Sequence, residues 1–133
     1  MKHVIMLFLL ATMPVLAQKD FKSVGKWQGT DDDGGAVYIT FDAEGYVTMQ
    51  KGDEIVGGKH FEMEGIEGQM TYKFIDGTNQ LDFIMKELSS GQENTLMGIY
   101  KVNNPDEIVL AMNNLERPED FTVDPIVFKR VKK

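Results

Sequence analysis

Gly25-Lys26-Trp27-Gln28-Gly29-Thr30 decides how this chain reads, because it carries the single tryptophan and opens a series of short apolar runs. Asp31-Asp32-Asp33-Gly34-Gly35 follows as a turn, since Asp bonds its own backbone and Gly supplies positive φ. Residues 36–41 then alternate Val37, Ile39 and Phe41 against Tyr38 and Thr40, the period of a half-buried strand. Asp42-Ala43-Glu44-Gly45 turns the chain, and residues 46–50 return with Val47 and Met49 on one face.

The rhythm continues to the end. Residues 51–58 read as a loop whose Ile55-Val56 pair could extend a neighbouring strand. Residues 59–63 put Phe61 and Met63 on one side, and Gly65-Ile66-Glu67-Gly68 turns. Residues 69–74 align Met70, Tyr72 and Phe74, and residues 81–86 align Leu81, Phe83 and Met85. The run 95–102 is apolar on both faces in part, which suits a covered strand. Residues 107–112 and 125–131 are the last two strands, separated by an irregular stretch at 113–124. The pattern predicts an all-β fold: an antiparallel up-and-down meander of eight to nine strands. Closing such a meander into a barrel removes its raw edges. A barrel of that size holds packed side chains or one small ligand.

Ahead of Gly25 the material changes. Lys2 and His3 form a basic start, residues 4–10 are apolar without a break, and Val15-Leu16-Ala17 offers small residues for cleavage. This is the layout of a secretory signal over residues 1–17, with the domain at 18–133 and a secreted or periplasmic location. The apolar run is shorter than the roughly 20 residues of a spanning helix. With no cysteine in the chain, a lipid anchor on cysteine, a disulfide and a thiolate metal site are all excluded. The reading therefore includes no membrane anchor. Residues 20–24 suit one helical turn with Phe21 and Val24 on a common face.

Hydrophobic residues make up 42% of the chain, enough for one core. The net charge of −7 gives no reason to expect a nucleic acid, whose binding depends on clustered Lys and Arg. Catalytic constellations are not evident. His60 stands alone once His3 is removed, which cannot build a His-rich zinc site. Ser23, Ser89 and Ser90 lie outside any nucleophile-elbow pattern. No Gly-rich phosphate loop occurs, and no motif singles out a carboxylate pair. Asp31-Asp32-Asp33 lacks the spaced oxygen ligands of a calcium loop and reads as a solvated turn. The sequence predicts a non-enzymatic protein with no cofactor and no metal.

Gly25-Lys26-Trp27, Gly98-Ile99-Tyr100, Arg117-Pro118 and Phe128-Lys129-Arg130-Val131, in that order, resemble the pattern of small bacterial exported lipocalin-like, calycin-type proteins. The likeness runs from about residue 21 to residue 132. It implies a lipocalin-like barrel, with Trp27 at the first strand paired to Arg130 at the last. It carries no defined activity. A guanidinium over an indole contributes roughly 0.5–2 kcal/mol, so this pair has a structural, barrel-closing role.

Six of the nine methionines, including Met49, Met63, Met70, Met85 and Met112, fall in expected strands. Met adapts to varied apolar partners, so these residues either line a pocket or fill a core. Phe61, Tyr72 and Phe83 share that ambiguity. Together the eight are the candidate lining for a small apolar ligand in the barrel. The loop holding Arg117 and Phe121 is the expected mouth loop, functional or simply a cap. The alternative reading is an interaction or inhibitor module that binds another extracytoplasmic protein through loops or an exposed face.

Overall fold

The computed structural model describes residues 21–132. The expected signal segment lies outside the described residues. The nine strands are β1 (Gly25–Thr30), β2 (Ala36–Phe41), β3 (Val47–Lys51), β4 (Glu54–Met63), β5 (Ile66–Phe74), β6 (Gln80–Glu87), β7 (Glu93–Asn104), β8 (Glu107–Asn113) and β9 (Ile126–Arg130). They form one closed barrel in sequence order. Every neighbouring pair is antiparallel, including β1 with β9, where Trp27 lies opposite Arg130 and Gln28 opposite Lys129.

An odd number of strands cannot close with all neighbours antiparallel unless one of them reverses course. That strand is β4. Its first part, Glu54 to Gly57, pairs with β3, and its second part, Gly58 to Met63, pairs with β5 across a register shift. The reversal falls at Gly57-Gly58, both at positive φ (107° and 84°), where a side chain would be strained. A Cβ on Gly57 would lie 2.4 Å from the Val47 carbonyl oxygen and 2.6 Å from Met70 Cε. Below this apex β3 and β5 are direct neighbours: Tyr46 bridges Thr71, the Tyr72 amide donates to the Gly45 carbonyl, and the Tyr72 hydroxyl donates to the Asp42 carbonyl. The barrel is therefore eight strands around at the Trp27 end and splayed by the two legs of β4 at the other.

Sequence periodicity reads 51–58 as a loop, and the structure corrects this: only Gly52 and Asp53 lie between β3 and β4. The glycine pair bends a strand instead of ending one. Ile66 and Glu67, expected in a turn, begin β5, because Glu64-Gly65 alone makes the reversal with φ of 53° and 82°. The expected helical turn is absent from residues 21–24, which lie along the barrel end. Phe21 packs on Trp27 at 5.7 Å between ring centroids, while Val24 is exposed, so the two do not share a buried face.

The interior is packed. Trp27, Val47, Leu81 and Ile108 are wholly buried, and Phe41 and Phe83 nearly so. Phe41 meets Tyr72, Phe74 and Phe83 in tilted or edge-on contacts, and Phe74 meets Tyr100 edge-on at 4.9 Å. Such aromatic geometries add stabilisation beyond the area they bury. Ile99 and Ala111 are opposite one another on β7 and β8 and face outward by alternation, yet both are buried. The loop after β8 accounts for this, since Arg117 ties it back onto the same wall.

Candidate functional site

At the Trp27 end the barrel is shut. Trp27 donates from Nε1 to the Ser23 carbonyl at 2.9 Å. The Arg130 guanidinium carbon sits 4.3 Å from the centre of the indole, inside the distance at which the ring quadrupole attracts a cation. Arg130 Nε donates to Asp106 Oδ1 at 3.0 Å and Nη1 to the Val24 carbonyl at 2.9 Å. Its Nη2 donates to the Pro105 and Lys22 carbonyls. Lys132, and after it Arg130, hold the Asp106 carboxyl below its ordinary range through hydrogen bonds and charge. One side chain thus gathers the entry strand, the β7–β8 turn and the last strand. The Arg130 guanidinium is thereby committed to protein acceptors.

A hollow with a largely apolar lining opens at the opposite end; other hollows lie along Gln28, Gly29, Pro125, Val127 and Lys129 and beside Tyr38 and Lys51. Beyond the Gly57-Gly58 apex, the second leg of β4 with β5, β6 and β7 forms a concave wall. A cavity of about 240 Å³ lies on it, lined by Phe61, Met63, Ile66, Gly68 and Met85, with Glu64, Lys86, Glu87 and Asn94 around them. The elements explain the composition. Leu81, Phe83, Met85 and Glu87 alternate onto the inner face of β6, and Gly68, Met70, Tyr72 and Phe74 onto that of β5. The register sets Phe61 opposite Gly68, and the Phe61 ring lies over the space a Cβ there would take, at 3.1 Å. Met63 and Ile66 remain 39% and 52% exposed, because no strand covers them from the far side.

The eight proposed pocket residues divide accordingly. Phe61, Met63 and Met85 line the cavity. Met70 and Phe83 are buried in the core, and Met49, Tyr72 and Met112 pack against it. Met112 fills the place opposite Gly98, where an added Cβ would meet its sulfur. Ile66, Gly68, Glu64, Glu87 and Asn94 join the site although the sequence does not mark them: Ile66 hides in an apparent turn, and the polar residues look solvated.

The expected mouth position of Arg117 is corrected. Its Nη1 donates to Asp82 Oδ1 at 2.7 Å and to the Gly98 carbonyl at 2.9 Å, on the outer wall. Both Asp82 and Arg117 are largely covered, so this pair straps the loop down over Ile99 and Ala111. Phe121 in the same loop is half-buried.

The Asp31–Asp33 turn is occupied by a lysine. Lys51 Nζ reaches Asp33 Oδ2 at 2.8 Å and also contacts Asp31. Asp31 and Asp33 accept backbone amides within the turn. The neighbouring Asp31 side chain, then Lys51 and the Gly35 amide, hold Asp33 well below the usual carboxylate range, and Asp31 and Asp33 push Lys51 upward. Asp32 shifts the other way, raised chiefly by the charge of Asp124. Among the described residues no group of three or more His, Cys, Asp or Glu is placed to hold a metal ion. His60 makes a cross-strand contact with Glu67 at 3.3 Å on the exposed surface.

Compared with models of known protein families, with curated proteins and with solved structures, the chain matches none.

Proposed function

We propose that this protein is a non-enzymatic, exported, lipocalin-like binding protein that takes a small apolar ligand at the splayed end of its barrel. The observation that carries the reading is the 240 Å³ concavity lined by Phe61, Met63, Ile66 and Met85. Binding sites are concave, mostly apolar and oriented by a few polar groups. The packed interior moves the site from the barrel's centre to its rim. At about 30 Å³ for each water-sized group, the groove admits roughly eight non-hydrogen atoms, so it grips one end of a longer ligand. Two methionines let the lining adapt to the shape of what enters. The lipocalin-like assignment draws on the closed antiparallel barrel and the stacked Trp27 and Arg130 at its shut end.

The test is titration of the purified protein with a neutral apolar fluorophore, N-phenyl-1-naphthylamine, read by its emission. The wild type is expected to enhance emission saturably. The double variant Met63→Ser with Ile66→Ser is expected to abolish this; both side chains are substantially exposed, so the core is untouched. Equal enhancement by both proteins overturns the proposal.

A second reading has its own observation. Leu88 is exposed at the same end of the barrel as Met63 and Ile66, where its amide donates to the Glu67 carbonyl of β5. This apolar rim suits a protein partner. Native mass spectrometry of protein from its own host separates the two readings, by a bound small mass or a co-purifying chain.

A further inference from the structure

We propose that the rim groove selects a cationic amphiphile: an apolar chain or ring carrying an amine or guanidinium. The inference rests on the binding reading above and names the ligand class of that same site. Its ground is the sign of the charge that the fold turns inward there.

Alternation along β6 directs Leu81, Phe83 and Met85 inward, and Glu87 is next in that series. Its register partner on β5 is Gly68, whose missing side chain leaves room for the Phe61 ring. Glu87 stands at the edge of the groove beside that ring and accepts a hydrogen bond from Ser89 Oγ at 2.9 Å. Glu64 joins it from the β4–β5 turn, and Asn94 from β7, where it lies opposite Met85. Lys86 also borders the groove, where its carbonyl oxygen faces Gly68, but it is out of phase with this series and paired with Gln69, so alternation sends its side chain toward the outer face. The inner rim thus carries two carboxylates and an amide.

Like most of the described acidic residues, neither of these carboxylates forms an ion pair. Elsewhere Asp31 and Asp33 take Lys51, Asp82 takes Arg117, Asp106 takes Arg130 and Lys132, and Glu107 takes Lys129. Among the described residues no such ion pair reaches Glu64 or Glu87. An apolar body would displace water from Phe61, Met63 and Ile66 while its cation met Glu87 and Glu64. Partial water exclusion strengthens that attraction relative to bulk solvent. The Phe61 ring face adds a second favourable contact for a cation. An anionic amphiphile of the same length would bring like charges together and be rejected.

The test compares decylamine, decanol and decanoate at pH 7, each below its aggregation concentration, by calorimetric titration of the purified protein. Decylamine is expected to bind at least tenfold more tightly than decanoate, with decanol between them. The double variant Glu64→Gln with Glu87→Gln is expected to cut this preference below threefold while decanol binding persists. A control pair in the exposed β8–β9 loop, Glu116→Gln with Glu119→Gln, is expected to leave it unchanged. Equal binding of all three probes overturns cation selection and leaves the apolar site standing. Loss of preference in the control variant also overturns it, since overall negative charge would then be the cause. Failure of decanol itself to bind the wild type overturns the underlying binding reading.

Discussion

The guanidinium of Arg130 stacks on the indole of Trp27 at 4.3 Å, across the register pair that joins the last strand to the first. The seam it guards is short, with two paired positions and one further bond from the Val131 amide to the Lys26 carbonyl. The side chain makes up for this by reaching Asp106, Val24, Pro105 and Lys22. Arg130→Lys keeps the charge but loses the planar fork. It is expected to cost roughly 1–3 kcal/mol, from the cation–π contact and the charge-assisted bonds together. Denaturant unfolding followed by the fluorescence of the single tryptophan measures it. An unchanged midpoint would mean the stack is incidental.

Acid should loosen the same end. The folded pKa of Asp106 is depressed, first by Lys132 and then by Arg130. A depressed carboxylate contributes stability that is present above its unfolded pKa of about 3.9 and is lost as pH falls through the folded value. Asp106→Asn should therefore melt below wild type at pH 7, with the gap closing below about pH 4. Asp32 has the opposite sign, because Asp124 raises it. Its contribution is unfavourable at neutral pH and is relieved as pH falls through the raised value, so Asp32→Asn should melt above wild type at pH 7. Circular-dichroism melting curves across pH 2–8, taken as an order-of-magnitude window around these groups, check both signs.

The reversal of β4 predicts an ordering among glycine substitutions. Gly57 and Gly45 both have positive φ, but nothing lies within 4 Å of a Cβ on Gly45. Gly45→Ala is expected to cost about 1–2 kcal/mol in backbone strain alone. Gly57→Ala adds a collision with the Val47 carbonyl and Met70, expected to cost about 1–3 kcal/mol more. Equal costs, measured by urea unfolding, would argue that the apex is not tight.

Arg117→Met should free the β8–β9 loop without opening the barrel. It removes both bonds of a largely covered guanidinium, an expected loss of about 1–3 kcal/mol, and uncovers Ile99 and Ala111. Limited proteolysis is expected to cut within residues 114–125 several times faster than in wild type. Unchanged cleavage would show that other contacts hold the loop.

Much of the fold is written locally in the sequence. Period-two alternation marks the strands, because each must present one apolar face to a core, and Asp-Gly-rich punctuation marks the turns between them. Phe61, Met63 and Met85 are legible as inward residues for the same reason. The partnership of Trp27 with Arg130 is legible only through the resemblance, since nothing local links residues so far apart. The reversal of β4 could not be read at all. Gly57-Gly58 has the composition of a loop, and only the pairing of β4 with β3 on one side and β5 on the other makes it an apex. That apex, a property of three strands at once, creates the splayed rim. There the register of β4 on β5 sets Phe61 opposite Gly68 and Met63 opposite Ile66, and that of β5 on β6 sets Gly68 opposite Glu87. Alternation along one strand thus settles which side chains face inward, whereas their meeting depends on how distant strands are set in register.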